Sequence, residues 1–265
     1  MMSLFEAIVL GVIQGVTEFL PVSSSAHLLL FRSWFSIGDV PLLFDIYLHL
    51  ATIAVIVFTF RKRILSLLGS LLRLFSAPIK EQDKENLMMI LSLLLATVMT
   101  VIVVFILRYF DLEVRNVKHA SALLLVSALI VGSMKWAPSR HSGVYLKNSA
   151  LIGVAQGLGS LTGISRLGIT VSSARHLGIK ESEAAEFSLL LSVIAVVGAL
   201  VLTLSDSSSQ SMQVGTASIV AGMVSAFIVG LGVIQLFIRL VKSKKLYLFS
   251  FYLFVIGLLG VFTTV

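Results

Sequence analysis

No cysteine occurs among the 265 residues, which excludes disulfides and thiolate metal sites. Charge is also scarce: 12% of the residues are Asp, Glu, Lys or Arg, against 57% apolar and a mean hydropathy of +1.03. A soluble fold has too little interior to hide so much apolar side chain, so that class is excluded. The opening segment MMSLFEAIVL has no Lys or Arg ahead of its apolar stretch, which argues against a signal peptide. The formal net charge is +7, but the basic residues sit in short loops between apolar runs. That distribution fits membrane topology and lipid headgroups, and argues against a nucleic-acid partner.

What is present in quantity is long apolar sequence. Six stretches, near 42–60, 87–107, 119–135, 187–204, 215–238 and 246–264, are long enough to cross a hydrocarbon layer of roughly 30 Å. Their connections separate by charge. One side receives Arg61, Lys62, Arg63, Arg73, Lys80 and Lys84, then Lys135, Arg140 and Lys147, then Arg239, Lys242, Lys244 and Lys245. The other side has Arg115 and Lys118, and no Lys or Arg in 205–215. The positive-inside rule makes the first side cytoplasmic.

Two further stretches, 3–34 and 149–178, are interrupted near their middles, by Pro21 and by the Gly159–Gly163 segment. A break in a lipid-facing helix frees backbone groups with no partner, so each stretch reads as a re-entrant pair of half-helices. The charge map opens the first outward and the second inward. The two also resemble each other: GVIQGVTEFLPVSSSAHL (11–28) aligns without gaps to GVAQGLGSLTGISRLGIT (153–170). Gly11/Gly153, Val12/Val154, Gln14/Gln156, Gly15/Gly157 and Ser23/Ser165 are identical. Three spans follow each copy, an odd number, so the halves take opposite orientations. The expected fold is an all-α integral membrane protein with six transmembrane helices and two re-entrant half-helix pairs. It forms one membrane domain built as an inverted-topology repeat, 1–135 and 149–265. Broken helices at equivalent positions place a site near the midplane where the halves meet.

The stretch QGVTEFLPVSSSAH (14–27) is far too polar for an ordinary span. Ser23 or Ser24 is placed to cap one half-helix, and Ser165 another, with Arg166 in its first turn. Such N-termini present free N–H groups to an anion, and a guanidinium is shaped for phosphate oxygens. Gln14 and Glu18 are four apart and share a helix face, as do Ser23 and His27, while Ser24 and His27 are three apart. Each ionisable group buried at the bilayer centre costs on the order of 2.5–3.5 kcal/mol, so Glu18, His27 and Arg166 together point to a phosphate site.

At these residues the sequence resembles the undecaprenyl pyrophosphate phosphatase family, known also for bacitracin resistance. The family's first motif is similar to (E/Q)GxTEFLPVSSxxH, met by Gln14, Glu18, Pro21, Ser23, Ser24 and His27; its second, similar to PGxSRSGxT, is met in part by TGISRLGIT (162–170). FDIYLHLATIAV (44–55) and EAAEFSLLLSV (183–193) also resemble family segments, so the likeness spans nearly the whole chain. The resemblance implies a multi-pass enzyme of the bacterial cytoplasmic (inner) membrane, with its site opening to the outer, periplasmic side. It would hydrolyse a polyprenyl diphosphate lipid, undecaprenyl diphosphate, to the monophosphate and phosphate with the help of a divalent cation, Mg²⁺ or Ca²⁺. Carried over by position, Glu18, His27, Ser24 and Arg166 are the catalytic candidates. Ser23, Ser165, Arg166 and Thr170 are the phosphate-binding ones, and Glu18 with Gln14 the metal ligands. Either Ser24 or His27 is the attacking group, with His27 favoured for proton or phosphoryl transfer. A homodimer is left open.

The chain departs from the family pattern at Thr162, where proline is usual, and at Leu167, where serine usually follows the arginine. Ala26 replaces a common glycine, and Ile194 stands where a later proline is frequent. The departures at Thr162 and Leu167 favour the alternative function, a polyprenyl-phosphate transporter or flippase using the same anion site. Asp45 and His49, four apart on one face, rank lower as pocket residues. Glu6 reads as an interfacial charge, Glu186 as a solvated one, and His119, His141 and His176 as loop or helix-end residues. RLFSAPIKEQDKEN (73–86) reads as a solvated loop, and the preceding RILSLLGSLLRLF as an interfacial segment.

Overall fold

The computed structural model describes all residues except 1, 39, 76–77, 113, 115, 139–142, 144–145, 207–213 and 264–265, and only the backbone of 202–206. Arg115, Arg140, His141 and most of 205–215 therefore lie outside the described residues. Every regular element described is helical: α1 Leu4–Thr17, α2 Ser24–Trp34, α3 Leu42–Thr59, α4 Arg61–Arg73, α5 Glu81–Tyr109, α6 Val117–Ser133, α7 Leu146–Leu158, α8 Arg166–His176, α9 Glu181–Asp206, α10 Thr216–Lys242 and α11 Phe249–Thr263. Short 3-10 turns, Met134–Trp136 and Leu246–Leu248, extend α6 and precede α11. Six helices are long and apolar enough to cross a membrane. Their outer faces carry exposed large apolar residues, such as Phe251 (75% exposed) and Phe262 (80% exposed), as a lipid-facing surface requires. The chain is an all-α, multi-pass membrane protein.

Helices α5, α9 and α10 run past the expected spans by a turn or more, because their ends carry the charged residues that hydropathy excludes. Several of those on α5 and α9 are paired. Asp83, buried in the first turn of α5, accepts from Ser70 Oγ (2.6 Å) and from Arg73 Nε (3.0 Å) and Nη2 (2.5 Å). Asn86, also buried, donates to Ser70 and Ser66, and accepts from Arg63 Nη1 at 2.6 Å. Part of the expected solvated loop is thus a buried polar clamp that docks α4 onto α5. Arg63 Nε then reaches Glu186 of α9 at 2.7 Å.

The two interrupted stretches form the helix pairs α1/α2 and α7/α8. These helices have 14, 11, 13 and 11 residues, about 16–21 Å each at 1.5 Å per residue, too short to cross alone. Each pair is bedded on the other half of the chain: α1 packs along α10, and α7 along α5. The glycines shared by the two copies make this possible. A Cβ on Gly11 would stand 2.2 Å from the Gly222 carbonyl oxygen on α10, and one on Gly153 would stand 2.3 Å from that of Ala96 on α5.

The breaks are held differently. Phe19 and Val22 sink into the main apolar core, with Phe19 fully buried. At the second break Gly163 has φ of 108°, and a Cβ there would meet the Ala120 carbonyl oxygen at 2.3 Å, so only glycine fits. Ser127 of α6 completes that break, donating to the Gly163 carbonyl and accepting from the Ser165 N–H, both at 2.8 Å. The freed backbone finds its partner in a neighbouring helix, not in lipid.

Candidate active site

The two breaks face one partly open cavity. Thr17, Glu18, Leu20 and Ser23–Ser25 line it from the first break, and Gly159 and Ile164–Leu167 from the second. His49 and Ile56 of α3 and Ser188, Leu189 and Ser192 of α9 complete the wall.

Glu18 organises the first wall. One carboxylate oxygen, Oε2, accepts from Ser24 Oγ at 2.6 Å and from Gln14 Nε2 at 3.0 Å. The Gln14 bond spans one helical turn, as the four-residue spacing requires. His49 Nε2 lies 3.4 Å from the same oxygen, while its Nδ1 donates to the Asp45 carbonyl at 2.8 Å. Asp45 itself is turned away, paired with Arg32. Ser24 begins α2, directly after Ser23, whose φ of 67° is left-handed and costly for a non-glycine residue. Ser23 occupies the N-cap position without a side-chain capping bond, so its hydroxyl leaves the first-turn N–H groups of α2 alone.

The second wall presents donors. Ser165 caps α8 by accepting from the Gly168 N–H at 3.1 Å. Arg166 follows at the first position of α8, with Nη1 buried and without a partner. Leu167 puts an apolar chain on the wall where the resemblance expects serine; the hydroxyls there come from Ser165 and from Ser188 and Ser192 on α9.

Of the residues singled out in the sequence, Glu18, Ser23, Ser24, Ser165 and Arg166 meet at the cavity. Gln14 reaches it through Glu18. His27 and Thr170 are not among the lining residues. Thr170 Oγ1 bonds back to the Arg166 carbonyl at 2.9 Å. His27 is buried with Nδ1 2.8 Å from the Ser23 carbonyl and Nε2 2.8 Å from the Tyr252 hydroxyl, its ring stacked on that of Tyr252 at 5.6 Å. A carbonyl only accepts, so Nδ1 carries the hydrogen, and in the neutral ring Nε2 accepts from Tyr252. Elsewhere, Glu6 closes a capping box with Ser3, His176 bonds Ser133 at 2.9 Å, and His119 is exposed. Ser188, Ser192 and Tyr252 went unremarked in sequence. The serines, four apart in EAAEFSLLLSV, had that spacing as their signal; nothing marked Tyr252.

Among the described residues no three His, Asp or Glu side chains converge as a ready-made metal site. The oxygen-bearing side chains of Glu18 and Gln14 are joined through Gln14 Nε2, with the Gln14 Oε1 buried and without a partner. Hard donors of this kind suit Mg²⁺ or Ca²⁺ when substrate oxygens complete the shell.

Residues 7–259 match the family described as bacitracin resistance protein BacA. The chain is 37% identical over 260 residues to an undecaprenyl-diphosphatase of Treponema denticola, covering 97% of this chain and 96% of that one. It is 36% identical over 264 residues to one of Borrelia hermsii (97% of each chain), and 36% over 261 residues to one of Desulfosudis oleivorans (95% of each). With a likeness that runs from α1 into α11 and takes in both walls of the cavity, the chain belongs to the bacitracin resistance protein BacA family.

Proposed function

We propose that this protein hydrolyses undecaprenyl diphosphate to undecaprenyl phosphate and inorganic phosphate. The observation that carries the reading is the 2.6 Å bond from Ser24 Oγ to Glu18, in one cavity with Arg166, whose Nη1 has no partner. Ser24 attacks the terminal phosphorus as its proton passes to Glu18 and the bond to the lipid phosphate breaks. Glu18 gives that proton up to the departing lipid phosphate or to solvent. Water then attacks the phosphoserine; Glu18 takes a proton from it and returns one to Ser24 as phosphate leaves. Arg166 and the open N-terminus of α2 hold the charge that develops on the phosphoryl oxygens.

Glu18 and Arg166 cancel in formal charge, so a diphosphate would enter with its own charge unbalanced. A divalent cation on Glu18 and Gln14 would supply the balance and polarise the phosphoryl group. The hydrogen bonds and the His49 contact all fall on Glu18 Oε2, so Oε1 would be the oxygen free to hold a cation. Purified protein in detergent is expected to release phosphate from undecaprenyl diphosphate with Mg²⁺ or Ca²⁺, and at least about a hundredfold more slowly in chelator. Equal rates in chelator would remove the metal from the reading, and no release under either condition would overturn the phosphatase itself.

His27 acts through Ser23, holding the left-handed residue that aims Ser24, and Tyr252 holds His27. Tyr252→Phe is expected to lower kcat about tenfold, the worth of one buried hydrogen bond, with KM unchanged. An unaltered kcat would show that the strut does not matter.

The cytoplasmic (inner) membrane with the cavity opening outward is the placement we favour. Contacts of Arg63 with Glu186, Arg175 with Glu181 and Lys135 with Tyr247 gather basic segments of both halves at one end, as the positive-inside rule asks. The inverted repeat is supported by the exchange of beds, α1 on α10 and α7 on α5. A second match adds to it: Leu48, Leu50 and Ile53–Val55 of α3 recur as Leu189, Leu191 and Ile194–Val196 of α9. The relatives' names support hydrolysis and not the flippase alternative, and a hydroxyl bonded to a carboxylate suits chemistry better than carriage.

A further inference from the structure

Hydroxyls inside a membrane bundle normally satisfy themselves on the backbone one turn back. Thr52, Thr97, Thr100, Ser121 and Thr170 all do so in this chain. Ser192, on the cavity wall, does the same, donating to the Leu189 carbonyl at 2.7 Å. Ser188 breaks the pattern. It is 2% exposed, and its Oγ is buried with no partner. Ser92 is also unpartnered, but it lies on α5 and is not among the lining residues.

The orphaned hydroxyl shares its wall with an orphaned cationic donor, Arg166 Nη1. Other polar groups around the cavity have partners: Ser24 donates to Glu18, His49 Nδ1 donates to the Asp45 carbonyl, and Ser165 accepts from the Gly168 N–H while keeping its own hydrogen. Two unmatched groups on one wall, one a guanidinium N–H and the other a hydroxyl free to donate, call for an acceptor brought by the ligand. Buried donors without acceptors are otherwise rare in folded proteins.

We infer that Ser188 is a phosphate-binding residue of this cavity, donating from α9 to the diphosphate that Arg166 engages. The inference rests on the phosphatase reading and adds to it a contact from a third element. The diphosphate is then held from the α8/α9 wall, while Ser24 and Glu18 act on it from the opposite one.

The test compares wild type, Ser188→Ala, Ser188→Thr and Thr97→Ala, each shown to be folded by size-exclusion chromatography. Two readouts are taken: kinetics with undecaprenyl diphosphate, and calorimetric titration with inorganic pyrophosphate, which needs no turnover. Ser188→Ala is expected to raise KM and weaken pyrophosphate binding about tenfold each, the worth of a hydrogen bond to a charged ligand. Ser188→Thr keeps the hydroxyl and is expected to stay within about threefold of wild type on both. Thr97→Ala, away from the cavity, is expected to match wild type, because its hydroxyl is spent on the Leu93 carbonyl. Unchanged KM and unchanged pyrophosphate binding in Ser188→Ala would overturn the inference and leave the phosphatase standing. A wild type that binds pyrophosphate through Ser188 but never turns over would keep the contact and sink the hydrolase. Should Ser188→Ala not fold, Ser188→Cys, nearly the same size with a weak donor, is expected to show the same two losses; wild-type values there would overturn the inference.

Discussion

Glu18→Gln is expected to lower turnover of undecaprenyl diphosphate about a thousandfold, within the range that general-base catalysis contributes. The substitution is nearly isosteric, and its amide oxygen can still accept from Ser24. What it removes is the capacity to take the proton, and with it the carboxylate that a cation would need. The loss is therefore expected in kcat, with the detergent-solubilised protein still folded. Ser24→Ala is expected to cost about as much, and the double variant no more than either alone, since the two act as a unit. Retention of activity within about threefold in Glu18→Gln would transfer the base to another group, with His49, whose Nε2 is 3.4 Å away, the first to examine.

The second large effect concerns the fold. Gly153→Ala adds a single methyl, yet that atom would stand 2.3 Å from the Ala96 carbonyl oxygen and 2.7 Å from its Cα. Backbone cannot swing aside as a flexible side chain does, so α7 must lift off α5. Overpacking of this kind typically costs about 1–3 kcal/mol and more where the obstacle is rigid. Because α7 leads directly into the second break, displacement also moves Arg166. We expect Gly153→Ala to lower the melting temperature in detergent by roughly 10 °C or to yield no monodisperse protein. Gly198→Ala, at a glycine with nothing within 4 Å, is the matched control and is expected to be tolerated. Equal behaviour of the two variants would contradict the close approach of α7 and α5.

Much of this was readable from residue order. Hydropathy located the six crossings, and Pro21 and Gly159–Gly163 located the breaks, because both signals are local in the chain. The Gln14–Glu18 bond followed from helical spacing in the same way. What escaped were facts about which face of a helix meets which neighbour. His27 is three residues from Ser24, yet the left-handed Ser23 turns the start of α2 and the Ser23 carbonyl takes His27 for itself. His49 ranked with Asp45 in sequence, but the bond between Arg32 and Asp45 separates them and only His49 reaches the cavity. Asp83 read as a loop charge because nothing local announces that Ser70 and Arg73 close over it. Each miss depends on a partner distant in the chain or on a backbone angle that composition does not encode.

The crossed beds of α1 and α7 also set a schedule for biosynthesis. Helix α7 finds α5 already made, whereas α1 ends at Thr17 and its support α10 begins only at Thr216. At roughly 5–20 residues per second, the first helix waits on the order of 10–40 s for the surface it packs on. A nascent chain released or stalled before α10 would carry Gln14, Glu18, Ser24 and His27 intact and have nothing to hold them in register. Premature termination should therefore leave inert fragments, not a partially active hydrolase loose in the membrane.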